Sequence, residues 1–487
     1  MLGVGLGGFG GDGGNAANVT SIIATTAAFN QIGTTGDNSS AVVAQSIGGS
    51  GGNGALNVTG TVNLTGKNGA AIGVGVGGFG GGAGDAGNVN LGVTGQVVTE
   101  GVNSHGLVAQ SIGGGGGNGG TNITGSLAIT KANGGASATA VAAAIGVGGF
   151  GGNGGVAGNV DVAYTGTIEA QPRVLIAETT DPVTGAIIPA HYEFNEAGGS
   201  HGILAQSLGG GGGNGGVNIS AGISYGAGEG DGHALLVGVG GFGGTGGDAG
   251  LVDVNVSGGE SISSYGAGHS AILAQSTGGG GGNGAVNVSG GIVSDSPLIV
   301  GVGGLGGNAG IGSDVTVNAS TDVYASAIDS KDLNSAGILA QSIGGGGGNG
   351  GLNVSGGISL GKEANVPSIT VGVGGFGGAG AISGDVSVDH TGQAITSGNW
   401  IHGIMAQSIA GGGGNGALNV SGQLNWADSA NSGGAKDLSI VAGIGGHGGL
   451  GANAGDVAVT STGRIVTAGD FARGIFAQTI GGGGGNG

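Results

Sequence analysis

Three histidines, His105, His201 and His402, stand just before the same GI-x-AQ motif, and His269 lies nearby. Imidazoles stacked in register could ligate a metal through their ring nitrogens. Other copies of the motif carry Ser40, Ala336 or Arg473 at that place, and no second ligand type recurs. A turn position on the solvent side is therefore the expectation, with no metal. Asp12, Asp85 and Asp248 sit in glycine-rich stretches. Calcium-binding nonapeptides pair Gly with Asp every nine residues, a period missing here, so Asx-type turns are expected instead. Asn214, Asn283 and Asn415, inside glycine runs, read as turn residues tolerating left-handed geometry. Asn-Val-Ser and Asn-Val-Thr triplets match a glycosylation acceptor, but their recurrence follows from the repeat itself. V-G-V-G-G-F-G-G lacks the strand–helix context and acidic partner of a dinucleotide fingerprint. The eight Lys and Arg are scattered, and no copy gathers paired acids and bases as a glycosidase or lyase would need. No catalytic residue, metal or cofactor is expected.

The element that must position these residues is a repeat. AQSIGG, with small variations, occurs seven times, its glutamine at Gln45, Gln110, Gln206, Gln275, Gln341, Gln407 and Gln478. A near-fixed period over a whole chain marks an array whose units bury their apolar faces against each other. Each unit has a GI-x-AQSI strand with a glycine run, then an Asn-Val-Ser segment beginning at Asn57, Asn122, Asn218, Asn287, Asn353 or Asn419. A variable loop follows, then V-G-V-G-G-F-G-G, and last an alternating strand ending in Thr-Gly. The aromatic of the fourth part is Phe9, Phe79, Phe150, Phe242 or Phe376, replaced by Leu305 and His447 in two copies. The phenylalanines are expected to pack flat on close backbone and supply core area.

Val, Ile and Thr alternate with polar residues between Gly, Asn and Asp, which predicts strands. The expected fold is all-β: an elongated β-solenoid of about seven ~70-residue repeats, with the glutamine and phenylalanine columns as structural ladders. Three coils of ordinary width per repeat predict a length on the order of 100 Å; one broad coil per repeat predicts about 30 Å. A second reading packs the glycine runs as threefold, polyglycine-II-like layers.

The chain has 487 residues, 138 of them glycine, a net charge of -19 and no cysteine. Only 7% of residues are charged and mean hydropathy is +0.29. Disulfides and thiolate metal sites are excluded. With so little basic surface, nucleic acid is not an expected partner. No run of about 18 apolar residues is present, so no membrane-spanning helix is expected. The whole of 1–487 reads as one array, a fragment of a longer chain. The third repeat carries extra residues 171–199, with three of the five prolines. These residues predict a loop or β-hairpin, with Arg173, Glu178, Asp181, Tyr192 and Glu193 as a candidate binding loop.

TG-x-I, then GI-x-AQSIGGGGGNGG, then a valine-rich strand resemble the glycine-rich passenger repeats of Gram-negative autotransporters. The matching pairs are Thr94-Gly95, Thr165-Gly166, Thr391-Gly392 and Thr462-Gly463. The resemblance implies export, a right-handed β-helical passenger displayed at the outer membrane, and an extracellular location. Function is then expected to be structural or adhesive, in a surface fibre or biofilm matrix. Its partners would be other copies of the chain or other cell surfaces, met by many weak contacts. A polysaccharide-active β-helix enzyme and an ice-binding protein are the alternatives.

Overall fold

The computed structural model describes the chain except residues 26–30, 132–137, 177, 181–186, 189–190, 195–197, 228–230, 328–334, 361–366 and 427–437. Every regular element among the described residues is a strand. Five parallel sheets hold one strand from each successive repeat, four with seven strands and one with six. Register is strict: Gln110 lies over Gln45, and Asn122 over Asn57. Each repeat is therefore one broad coil, and the three-coil expectation is overturned. The physical reason is that, among the described residues, no strand of these five sheets pairs within its own repeat; each finds its hydrogen-bond partner a full repeat away. Seven-stranded sheets have six intervals of about 4.8 Å, so the stack is roughly 30 Å deep.

The Val-Gly sheet runs from Leu2–Leu6 to Ser439–Ile444 and the Asn sheet from Asn57–Thr65 to Asn419–Asn425. These two face each other and form one compartment. The Val-x-Val sheet (Val19–Ala24 to Val457–Thr462), a short sheet (Gln31–Thr34 to Ile465–Ala468) and the Gln sheet (Val42–Ile47 to Ile475–Ile480) enclose the other. The second compartment holds the main apolar core. Leu107, Ile168, Ile203, Ile262, Ile272, Ile338 and Ile404 are fully buried there, in columns. The AQS motif is explained by three different needs. Alanine (Ala109, Ala205, Ala274) is fully buried toward the core. Glutamine points outward. Serine stitches two coils of the opposite wall: Ser111 Oγ donates to Gly87 O at 2.9 Å and accepts from the N–H of Gly158 at 2.7 Å. The Thr-Gly pair turns the chain from the Val-x-Val sheet into the short sheet, with φ of +131° at Gly95 and +148° at Gly166. Glycine alone adopts that backbone without strain.

Between the compartments lies a waist made of the two glycine runs of each coil, packed backbone to backbone. Its hydrogen bonds have a period of three and leave in three directions. In the run 77–88, the N–H groups of Gly77, Gly80, Ala83 and Ala86 donate along the axis to the next coil. Those of Gly78, Gly81 and Gly84 donate across the waist to Ala55, Gly52 and Gly49. Those of Gly82, Asp85 and Asn88 point outward and donate to the side-chain oxygens of Asp12, Asn15 and Asn18, each at 2.8 Å. Gly87 N–H donates to Ser46 Oγ at 2.8 Å, so every amide of the run except that of Phe79 is paired, as buried backbone requires. In this run two positions in three hold only glycine or alanine. A Cβ on Gly80 would fall on Gly117 O and one on Gly81 on Gly11 O, whereas one on Gly82 would meet only Asp12 Oδ1 at 3.5 Å, an ordinary contact.

This geometry corrects the expected role of the Asx residues. Asn214, Asn283 and Asn415 have no left-handed backbone; among the described non-glycine residues only Asn38, Asn103, Trp400 and Phe471 have positive φ. Asn214, Asn283, Asn349 and Asn415 occupy the outward third position of the second run, where the Oδ1 of one coil accepts from the N–H of the asparagine above. Asp12, Asp85 and Asp248 do the same for Gly82, Val156 and Ile311.

Candidate interaction surface

The sequence-marked columns come together as continuous ladders. Gln45, Gln110, Gln206, Gln275, Gln341, Gln407 and Gln478 pass an Nε2–H to the Oε1 of the next glutamine at 2.5–3.1 Å, without a break. The phenylalanines also stack, with Phe79, Phe150 and Phe242 spaced 4.8 Å apart and Phe9 4.9 Å from Phe79. They do not supply core area as expected. They stand at the outward third position of the glycine run, where a side chain fits, and Phe376 is 43% exposed. Leu305 separates Phe376 from the stack of four.

A third ladder was hidden in the glycosylation-like triplets. Asn57, Asn122, Asn218, Asn287, Asn353 and Asn419 pass an Nδ2–H to the next Oδ1 at 2.6–2.7 Å. The same amide reaches the hydroxyl two residues on, as Asn218 does with Ser220 at 3.1 Å. Asn122, Asn218, Asn287 and Asn353 have no exposed surface, so the triplets serve the interior and no glycan could reach them. The V-G-V-G pattern is their counterpart. A Cβ on Gly146 would fall on Ser220 Oγ and Asn218 Oδ1 of the facing sheet.

Filling the inside of this compartment with amides, hydroxyls and glycines leaves the aliphatic half of each strand outside. On the Asn sheet, Ile219 and Val288 are each 36% exposed, and Ile223 and Ile292 are 45% and 41% exposed. Gly125, Ala221, Gly290, Gly356 and Gly422 floor a trough between the two aliphatic columns. It has a volume of about 590 Å³ where Ile223, Ile292, Ile358 and Leu424 line it. The Val-Gly sheet likewise turns Val74, Ile145, Val237, Val300 and Val371 outward in one column and Val76, Val147, Val239, Val302 and Val373 in another. Contiguous apolar surface on this scale marks interaction sites.

The histidines are not on the solvent side. His201 and His402 are buried, and the rings of His105, His201 and His269 lie 4.7–6.0 Å apart. Nδ1 of His105 accepts from the N–H of His201, and Nδ1 of His201 from the N–H of Ser270, both at 2.9 Å. These neutral rings must therefore carry their proton on Nε2, which removes the lone pair a metal would need. Burial, then the charge of His269, lowers the pKa of His105 to about 4. Burial, then His269 and His105, lowers His201 well below the usual range, and burial also lowers His269. Unfolded imidazoles bind protons below about pH 6.5, where the folded cluster still refuses them. The unfolded state then holds more protons, so stability is full above pH 6.5 and falls as pH drops toward 4. We expect the unfolding midpoint to fall between pH 7 and pH 5, before most carboxylates titrate. The double variant His105→Gln with His201→Gln should flatten that slope; an unchanged slope would place its origin elsewhere.

Of the candidate loop residues, Arg173 is tied at the root of the insertion. Its guanidinium lies 3.7 Å from Glu100 and 3.8 Å from Glu169. Such half-exposed pairs contribute about 0–1 kcal/mol each. The strand Arg173–Ile176 pairs antiparallel with His191–Phe194, placing Tyr192 opposite Leu175. Glu178 and Glu193 are exposed, and Asp181 lies outside the described residues. No helix among the described residues is long and apolar enough to cross a membrane.

No known protein family, curated protein or solved structure matches this chain.

Proposed function

We propose that the chain is a structural and adhesive repeat array of a bacterial cell surface or biofilm matrix, acting extracellularly through many weak contacts. The observation that carries this reading is the inverted polarity of the Val-Gly and Asn compartment, with amides within and aliphatic columns outside. The outer face of the Asn sheet spans roughly 25–30 Å along the axis and about 20 Å across it. Pairing two copies through it would bury on the order of 1,200 Å², the lower end for a specific interface. The favoured partner is thus a second copy of the array, with other cell surfaces met by the same apolar face. We infer too that the coils wind right-handed, as about 98% of parallel crossovers do. The period-three bonding and the restriction of two positions in three to small residues support polyglycine-II-like layers in the waist. The likeness to autotransporter passenger repeats agrees with display outside the cell.

Sedimentation velocity and electron microscopy test the reading together. The chain is expected to associate laterally as its concentration rises. The triple variant Ile223→Thr, Ile292→Thr, Ile358→Thr should remain folded and lose that association. A chain that stays monomeric and adheres to nothing, or a triple variant that associates as before, would overturn it.

A further inference from the structure

One place breaks the repeat with chemistry rather than length. Where the third coil carries Thr139 and Val141, the next carries Asp231 and His233, and the coil after that brings Asp295 and Ser296 over Gly232 and His233. The stacking is fixed by backbone bonds. Asp295 N–H donates to Gly232 O at 3.0 Å, and Ala234 N–H to Ser296 O at 3.2 Å. The two carboxylates and the imidazole converge, each offering one ligand atom, and those atoms all lie within 4.8 Å of one another. A point shared among three atoms at that spacing is at most 4.8 Å divided by √3, about 2.8 Å, from each. A contraction of under an ångström brings that to the 2.0–2.2 Å of nitrogen and carboxylate ligands on zinc.

Two further features point the same way. The Asp295 side chain is only 9% exposed, so the cluster is largely shielded from water. His233 Nδ1 lies 3.7 Å from Asp295 Oδ2, too far for a hydrogen bond, and contacts Ser296 Oγ at 2.9 Å. His233 also replaces an aliphatic residue in a column that is Ala70 and Val141 in the coils below, so packing alone gives no reason for an imidazole here.

We propose that Asp231, His233 and Asp295 bind one divalent transition-metal ion. An imidazole with two carboxylates suits zinc or manganese better than calcium, which takes oxygen ligands alone. Three protein ligands leave at least one position for water. The ion would clamp the start of one Val-Gly strand to the turn of the coil above.

The test is calorimetric titration of the tag-free chain with Zn²⁺, Mn²⁺ and Ca²⁺. One saturable site per chain is expected for Zn²⁺ or Mn²⁺. Affinity should fall at least tenfold in Asp295→Asn and in His233→Val, the second of which restores the aliphatic column and so keeps the coil intact. His201→Gln should bind as the parent does. Absence of saturable binding, binding of Ca²⁺ alone, unchanged affinity in His233→Val, or loss in His201→Gln would each overturn the assignment.

Discussion

Gly213→Ala is expected to unfold the array or to destabilise it by more than about 4 kcal/mol, a range reserved for severe backbone or core damage. The added Cβ would fall on the carbonyl oxygen of Gly117 in the coil below, and Gly212→Ala would fall on Gly244 O across the waist. Neither obstacle is a side chain that can rotate away. Each is a peptide group whose oxygen already accepts a hydrogen bond: Gly117 O from Gly152 at 2.7 Å, and Gly244 O from Gly282 at 2.8 Å. Relief needs the two layers to move apart, which breaks that bonding over several coils. Gly211 is the control in the same run. Its Cβ would meet nothing nearer than Gly280 O at 3.8 Å, an ordinary contact. Gly211→Ala should change stability by no more than about 0.5 kcal/mol. Denaturant unfolding of the three variants checks the waist directly. Equal effects at 211, 212 and 213 would mean that the period-three packing is wrong.

The second large effect is expected inside the Asn ladder. Asn218→Asp keeps the acceptor that Asn122 Nδ2 uses, at 2.7 Å, but removes the donor to Asn287 Oδ1, also at 2.7 Å, and to Ser220 Oγ. It sets oxygen against oxygen at a residue with no exposed surface. A buried, uncompensated carboxylate costs about 3–5 kcal/mol. The introduced carboxyl will resist ionising, so its folded pKa rises above the unfolded value. The penalty should therefore shrink as pH falls, because the protonated form regains a donor. Gln206→Glu makes the same change in the outer ladder, where the side chain is half-exposed. Water can solvate that charge, and the loss should stay near 1 kcal/mol. Urea midpoints at pH 7 and pH 5 for both variants measure the contrast. Equal losses would show that burial does not govern the ladders.

Much of the fold was legible because identical residues must stack in a repeat. The recurrence of Gln110, Gln206 and Gln275 predicted a glutamine column, and that column is continuous. The coil count was not legible, because a period near 70 says nothing about how a unit spreads round the axis. The residues that decide it are in the run 77–88. They read Gly-Gly-Phe, Gly-Gly-Gly, Ala-Gly-Asp, Ala-Gly-Asn, with two small residues in every three. That local period of three is the signature of the waist, and it was masked by the overall abundance of glycine. Alternation in Asn218-Ile219-Ser220 announced a strand but not which face would be inside. Only the fully buried Asn218 beside the exposed Ile219 shows that the polar face won. Pairing amide with amide gives Asn218 Nδ2 partners in both Asn287 and Ser220, which alternation alone does not reveal. The candidate metal cluster was missed for a related reason. Asp231 and Asp295 are far apart in sequence, and only the stacking of successive coils brings them together.

The amide ladders also give the molecule an arrow. In both, each residue donates to its counterpart one coil further on, as Gln206 does to Gln275 and Asn218 to Asn287. Any cut between coils therefore exposes amide hydrogens on one surface and carbonyl oxygens on the other. Two copies meeting head to tail would continue both rows. Two meeting head to head would press like poles together. Growth along the axis, if it occurs, is vectorial, and every subunit in such a filament would point the same way.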